Sequence, residues 1–140
     1  MNRRNAIRCA VALAFTSLLA CGSDTTAPVV VTSVAGTWKL TAVNSKPLPF
    51  LLSASDPKLE LIDKGFVISA TGTFKTSFTL RATELDGRVT TGTTSDSGTV
   101  TLANNTATFT YASDGSGAVA SVTPTMMTIG GSAIQEFTKQ

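Results

Sequence analysis

From residue 36 to the C-terminus, apolar and polar residues alternate with a period of two. Trp38, Leu40 and Ala42 are interleaved with Thr37, Lys39 and Thr41. Phe74, Thr76, Phe78, Leu80 and Ala82 are interleaved with Lys75, Ser77, Thr79, Arg81 and Thr83. Successive side chains of a strand point to opposite faces, so the pattern predicts half-buried strands rather than helices. The stretch from 74 to 83 is the clearest of them. Residues 58–70 read as two short strands, or as one bent at Lys64-Gly65. Asp86-Gly87 predicts a type I′ hairpin turn, because both residue types tolerate positive φ, with a Thr- and Val-rich return strand over 88–94. Residues 98–103 and 106–111 pair through Asn104-Asn105, which places Val100 and Leu102 near Phe109 and Tyr111 or Ala107. Asp114-Gly115-Ser116-Gly117 marks another turn. Segments 118–123, 126–129 and 133–138 complete the series around Pro124 and Gly130-Gly131. Residues 44–57 break the pattern. Pro47, Pro49 and Pro57 exclude a central strand, and the apolar residues between them predict a loop over one end, or a helical turn at 50–55.

The fold class is therefore all-β, with about eight to ten short strands joined by tight turns. Strands connected in this way lie beside their sequence neighbours, giving an antiparallel up-and-down meander over residues 34–140. Closing that meander into a barrel removes its unpaired edges; a curled open sheet or a sandwich is the alternative. Short strands imply a small barrel whose own side chains fill it.

Composition narrows the chemistry. The 140 residues include no His, two Cys and only 14% charged residues. Without His there is no Ser-His-Asp triad, no His-paired thiol and no imidazole base. Ser45-Lys46 and Asp63-Lys64 read as solvated pairs beside turns. Glu60 with Asp63, and Glu84 with Asp86, lie at turns or on alternate faces without an aromatic platform for a sugar. The 114–117 turn lacks the spaced carboxylates of a calcium loop. No enzymatic activity, metal site or cofactor is expected.

The N-terminal segment has a different character. Arg3, Arg4 and Arg8 precede an uncharged, mostly apolar run over residues 9–20, too short for a stable membrane span of about 20 residues and typical of an export signal. It ends in Leu18-Leu19-Ala20-Cys21, which resembles the bacterial lipobox. That resemblance implies a signal peptide over 1–20, cleavage between Ala20 and Cys21, and attachment of acyl chains such as palmitate to Cys21. Gly22 in place of Asp after the Cys implies, by the same resemblance, the periplasmic face of the outer membrane. Residues 21–33, with Pro28, then form a tether from the lipid to the domain, unless Val29-Val30-Val31 docks on its edge. Removing Arg3, Arg4 and Arg8 leaves eight basic residues against nine acidic ones, a net charge of −1. The remaining cations are scattered singly, so no nucleic-acid surface is expected. Cys9 leaves with the signal and Cys21 is lipidated, so no disulfide is expected either.

Gly36-Thr37-Trp38 at the start of the first strand resembles the Gly-x-Trp of lipocalins and other calycins. The order GTWKLTAVNSKPLPF, TGTF, GTVTL and TATFTY after a lipobox and tether is similar to small bacterial lipocalin-like lipoproteins, over residues 34–139. The resemblance implies an eight-stranded up-and-down barrel with Trp38 packed across a closed end. Two features depart from it. No Thr-Asp-Tyr triplet is present, and Lys139 is the only late cation where lipocalins stack an Arg on the Trp.

Two functions follow. A carrier would hold a small apolar ligand in the barrel mouth, lined by some of Leu40, Phe66, Phe74, Phe78, Phe109, Tyr111 and Met127. An envelope scaffold would use the same residues as a filled core and make contacts through its Thr-rich outer face or the 47–57 loop. The expected partners are the lipid membrane, through Cys21, and that small hydrophobic ligand.

Overall fold

The structure, a computed structural model, describes residues 31–140. The expected signal peptide over 1–20, the expected cleavage and lipidation at Ala20-Cys21, and Pro28, Val29 and Val30 of the expected tether lie outside the described residues. Ten strands form one sheet: β1 (Gly36–Val43), β2 (Lys46–Pro47), β3 (Phe50–Ser53), β4 (Lys58–Ile68), β5 (Thr73–Thr83), β6 (Val89–Ala103), β7 (Thr106–Tyr111), β8 (Gly117–Val122), β9 (Met126–Ile129) and β10 (Gln135–Lys139). From β4 to β10 each strand pairs with the next, β10 pairs with β1, and β1 pairs back onto β4. All pairings are antiparallel, so eight strands close into a barrel, with β2 and β3 as short additions. The all-β meander is closed, and the open-sheet and sandwich alternatives fall.

Closure depends on a short seam. β1 meets β4 only from Gly36 opposite Ile68 to Lys39 opposite Gly65. Gly65 permits that approach, because a Cβ there would sit 3.0 Å from the Trp38 carbonyl oxygen. Beyond the seam β1 turns away and takes β2 as its partner. The vacated edge of β4 is filled by β3, with Phe50 opposite Leu61 and Leu51 opposite Glu60. This corrects the expectation of a loop or helical turn at 50–55. Proline excludes a central strand but tolerates a short edge strand that begins just after it.

Three further expectations change. Residues 58–68 form one strand, as the second of the two readings had it, but its irregularity is a register shift between Leu61 and Asp63 and not a bend at Lys64-Gly65. The segments at 88–94 and 98–103 are one 15-residue strand, since Ser95, Asp96 and Ser97 all keep partners on β5. The turn at 84–88 carries positive φ at Gly87 alone, and Gly87 N donates to Glu84 O at 2.9 Å, so it is not type I′. Paired positive φ values occur instead at Asn44-Ser45 (51° and 62°) and Asn104-Asn105 (48° and 62°), as type I′ turns require.

The core follows the predicted alternation. Trp38, Leu40, Phe66, Ile68, Phe74, Val100, Ala107, Phe109, Ala120, Met127 and Phe137 point inward and are buried. Full burial of such a large apolar side chain contributes about 1.5–3 kcal/mol. Val31 and Val34 join them, each fully buried. Val31 lies just before the turn at 32–34 and not in a strand.

Candidate functional site

The two ends of the barrel differ. At one end residues 31–35 fold into a plug. The amides of Val34 and Ala35 both donate to Val31 O at 3.0 Å, and Val31 N donates to Ala70 O at 3.2 Å. Trp38 packs beneath this plug with 0% exposure, and its indole N–H donates to Val34 O at 2.8 Å, so burial leaves no polar atom of the ring unpaired. Gly36 takes φ +131°, and the Lys139 stem crosses it: a Cβ there would lie 2.8 Å from Lys139 Cε. The Gly-x-Trp pattern is thus a close passage of a lysine stem across the closed end.

Above Trp38 lies a layer of rings. Phe66 stands 5.7 Å from Phe74, 5.2 Å from Phe109 and 5.3 Å from Phe137 between centroids; Phe74 stands 5.2 Å from Phe109 and 5.3 Å from Tyr111. Tilted and edge-on pairs at these distances are favourable and leave little space between rings. Of the residues named as candidate lining, Leu40, Phe66, Phe74, Phe109 and Met127 are buried in this one cluster. Tyr111 and Phe78 pack against it half-buried, nearer the other end. Burial raises the Tyr111 hydroxyl pKa, helped by the charges of Asp96 and Asp114.

The other end is open and asymmetric. β7 begins to pair with β6 at Gly98 opposite Tyr111, so residues 89–96 of β6 have β5 as their strand partner. β3, β4, β5 and β6 therefore continue as a four-stranded overhang beyond the ends of β7 and β8. Its inner face carries Phe50, Leu61, Phe78 and Leu80, with Leu48 nearby; all but Leu61 remain half-buried. At the foot of this face is Lys64, opposite Phe78 on β5. Its ammonium donates to Gln135 Oε1 at 2.8 Å and lies 5.8 Å and 6.0 Å from the centroids of Phe66 and Phe137. Burial pushes its pKa down. The reading of Asp63-Lys64 as a solvated pair is corrected for Lys64. The pair is mid-strand, so its side chains go to opposite faces, with Asp63 outside beside Lys39 at 3.8 Å.

The outer face holds a second charged group. Glu60 accepts from Arg81 Nε at 3.0 Å and Arg81 Nη2 at 2.8 Å, and pairs with Lys58 at 2.9 Å. These partners, Lys58 first, hold its carboxyl below the usual range. The pairing is with strand neighbours and not with Asp63. Glu84 is bound to Arg88 at the overhang tip. In the 114–117 turn Asp114 Oδ1 accepts from Ser116 N at 2.8 Å. Among the described residues no three His, Cys, Asp or Glu side chains are grouped to hold a metal ion.

Sequence reasoning missed Lys64, Gln135, Leu80, Phe50 and Phe137 as parts of this arrangement. The alternation through 74–82 already placed Leu80 beside Phe78, and a period-two count over 135–139 places Gln135, Phe137 and Lys139 together. The closed eight-stranded antiparallel barrel is compatible with a lipocalin-like fold. No protein-family model, curated protein or solved structure matches the chain.

Proposed function

We propose that this chain is an exported, non-catalytic lipoprotein, anchored through Cys21 in the bacterial envelope, whose barrel carries a small apolar ligand at its open end. One observation carries the reading. The four-stranded overhang leaves Phe50, Phe78 and Leu80 half-buried, packed against the edge of a filled aromatic core. A protein that needed only a stable barrel gains nothing from extending β5 and β6 past their neighbours with an apolar inner face. The ligand would lie on the layer of Phe66, Phe109 and Phe137 and not between those rings. Of the residues named from the sequence, Phe78 and Tyr111 would touch it, while Leu40, Phe74 and Met127 would support the floor.

The position of the chain's entry fits an anchored carrier. Residue 31 enters at the plugged end, opposite the overhang. A lipid on Cys21 would thus leave the mouth directed away from the membrane to which the protein is tethered. Two or three acyl chains on one Cys would make that tether stable, where one would not. The absence of His and the pairing of Glu60 and Glu84 with neighbouring cations support a non-catalytic role.

A scaffold role is the second reading, and the filled interior favours it: the ring layer accounts for most of the aromatic residues without any ligand. Native mass spectrometry of the full chain recovered from an exporting host separates the two. A discrete bound mass, lost on denaturation and present in the organic extract, is expected for a carrier. An unliganded mass throughout would overturn that reading in favour of the scaffold.

A further inference from the structure

The first half of β6 is an open sheet edge. From Val89 to Asp96 it has β5 on one side and, among the described residues, no strand on the other, because β7 first pairs at Gly98. Along an antiparallel ladder successive residues turn their amide and carbonyl to opposite neighbours. Val100 N donates to Gly72 O on the β5 side, and Ser97 O accepts from Ala112 N on the β7 side. Even-numbered residues of β6 therefore serve β5, and Val89, Thr91, Thr93 and Ser95 turn their backbone groups to the open edge. Every residue from 89 to 95 is exposed. Soluble proteins blunt such edges with a lysine, a proline or a bulge, so that no second chain adds to them. The 89–96 edge has none of these, and its register on β5 is unbroken. The opposite edge of the overhang is blunted: β3 is four residues long, follows Pro49 and shifts register between Leu51 and Ser53.

Two further features make this edge complementary to itself. The exposed residues 89–95 overlap a second copy of themselves completely in one antiparallel register, which sets Gly92 opposite Gly92, Thr91 opposite Thr93 and Val89 opposite Ser95. The same register brings Arg88 opposite Asp96 at both ends. Arg88 gives one N–H to Glu84, and Asp96 accepts from Ser97 N and Ser113 Oγ, so both keep capacity for a further charge-assisted bond. Gly92 weakens a strand, and a Cβ there would meet nothing within 4 Å, so packing within one copy does not require it. At the centre of this register it faces its own copy in a non-hydrogen-bonded pair, where opposed Cα atoms approach to about 4.5 Å.

We propose that the chain forms a two-fold dimer in which the 89–95 edge of β6 adds to the same edge of a second copy, with Gly92 on the axis. Even-numbered residues meet even-numbered ones, so the inner faces of the two overhangs, with Gly92 opposite Leu80 and Thr94 opposite Phe78, lie on one side of a continuous sheet. The copies meet mouth to mouth with their plugged ends outward. The contact uses the same edge of both copies and closes on itself, whereas head-to-tail addition of β6 to β3 would propagate. It is made by backbone and is independent of the carrier reading.

The test is sedimentation of the full chain carrying Cys9→Ser and Cys21→Ser, which removes the proposed anchor and both native thiols, over the micromolar range. A monomer in reversible exchange with a dimer is expected. Thr91→Pro deletes an amide that only the second copy would engage, and should weaken the dimer by about tenfold or more with the β-sheet circular dichroism unchanged. Thr93→Pro is the matching variant if Thr91→Pro does not fold. Gly92→Cys reads the register without a proline: on oxidation it should give a disulfide-linked dimer, and Thr90→Cys, which would face Thr94 of the second copy, should not. A monomer at every concentration overturns the proposal, as does a dimer that a folded proline variant leaves intact. Cross-linking at Thr90→Cys in preference to Gly92→Cys overturns the register. Species larger than a dimer overturn the two-fold contact in favour of addition to β3.

Discussion

The Lys139 ammonium lies 5.4 Å from the centre of the Trp38 indole, and the two residues are cross-strand partners on β1 and β10. The same ammonium donates to Ser33 O at 3.3 Å, tying the last strand to the plug. The contact joins the first and last strands at the plugged end. Lys139→Ala should lower stability by about 1 kcal/mol through the lost cation–π contact and stem packing, while Lys139→Arg should restore it. Urea midpoints of the two variants check this; a Lys139→Ala midpoint equal to the wild type would contradict it.

Gly98 and Gly92 lie on the same strand in opposite circumstances. A Cβ at Gly98 would overlap the Thr110 carbonyl oxygen and sit 2.8 Å from the Phe74 ring, whereas one at Gly92 meets nothing within 4 Å. Gly98→Ala should therefore cost about 1–3 kcal/mol, as overpacking does, and Gly92→Ala should stay within about 0.5 kcal/mol of the wild type. Thermal unfolding of both variants decides whether the ring layer is as tight as described.

Much of the barrel was legible because alternation and turn residues are local signals. Phe74 to Ala82 declared a strand, and Asn104-Asn105 declared its hairpin. What the sequence concealed depended on partners far along the chain. Residues 50–53 become a strand only because β1 leaves β4 after Lys39, which no local pattern around Pro47 and Pro49 records. Lys64 looked solvated because charge normally means exposure; its inward direction follows from counting in steps of two from Phe66 once 58–68 is known to be continuous. The Asp86-Gly87 turn was placed correctly and its type was not, because Asp-Gly suits more than one hairpin geometry.

Glu60 gives the account a pH signature. Its folded pKa is held below the usual value by Lys58 and then Arg81, so the unfolded chain binds the proton more readily. The group's stabilising contribution is present above the unfolded pKa of roughly 4.3 and is lost as pH falls through the folded value. Glu60→Gln should flatten that acid limb while changing little at neutral pH. Denaturation at a series of pH values from neutral to acid would show it; parallel acid limbs for both proteins would contradict the assignment.

Membrane attachment rests on one atom in the proposed function, the Cys21 sulfur. Cys21→Ser should leave the barrel folded, since the first strand begins only at Gly36, and should move the exported protein from the membrane to the soluble fraction. Fractionation with metabolic labelling by palmitate reads both effects. Recovery of the variant with membranes would contradict the anchor.

The central claim is that the ring layer is a floor and the overhang is the binding surface. The most direct measurement is a two-dimensional amide and indole NMR titration of the protein with palmitate. The account predicts shifts at Phe50, Leu61, Lys64, Phe78 and Leu80, with the Trp38 indole N–H and the Met127 amide unchanged. A titration that moves Trp38 and Met127 would place the ligand within the rings and contradict it.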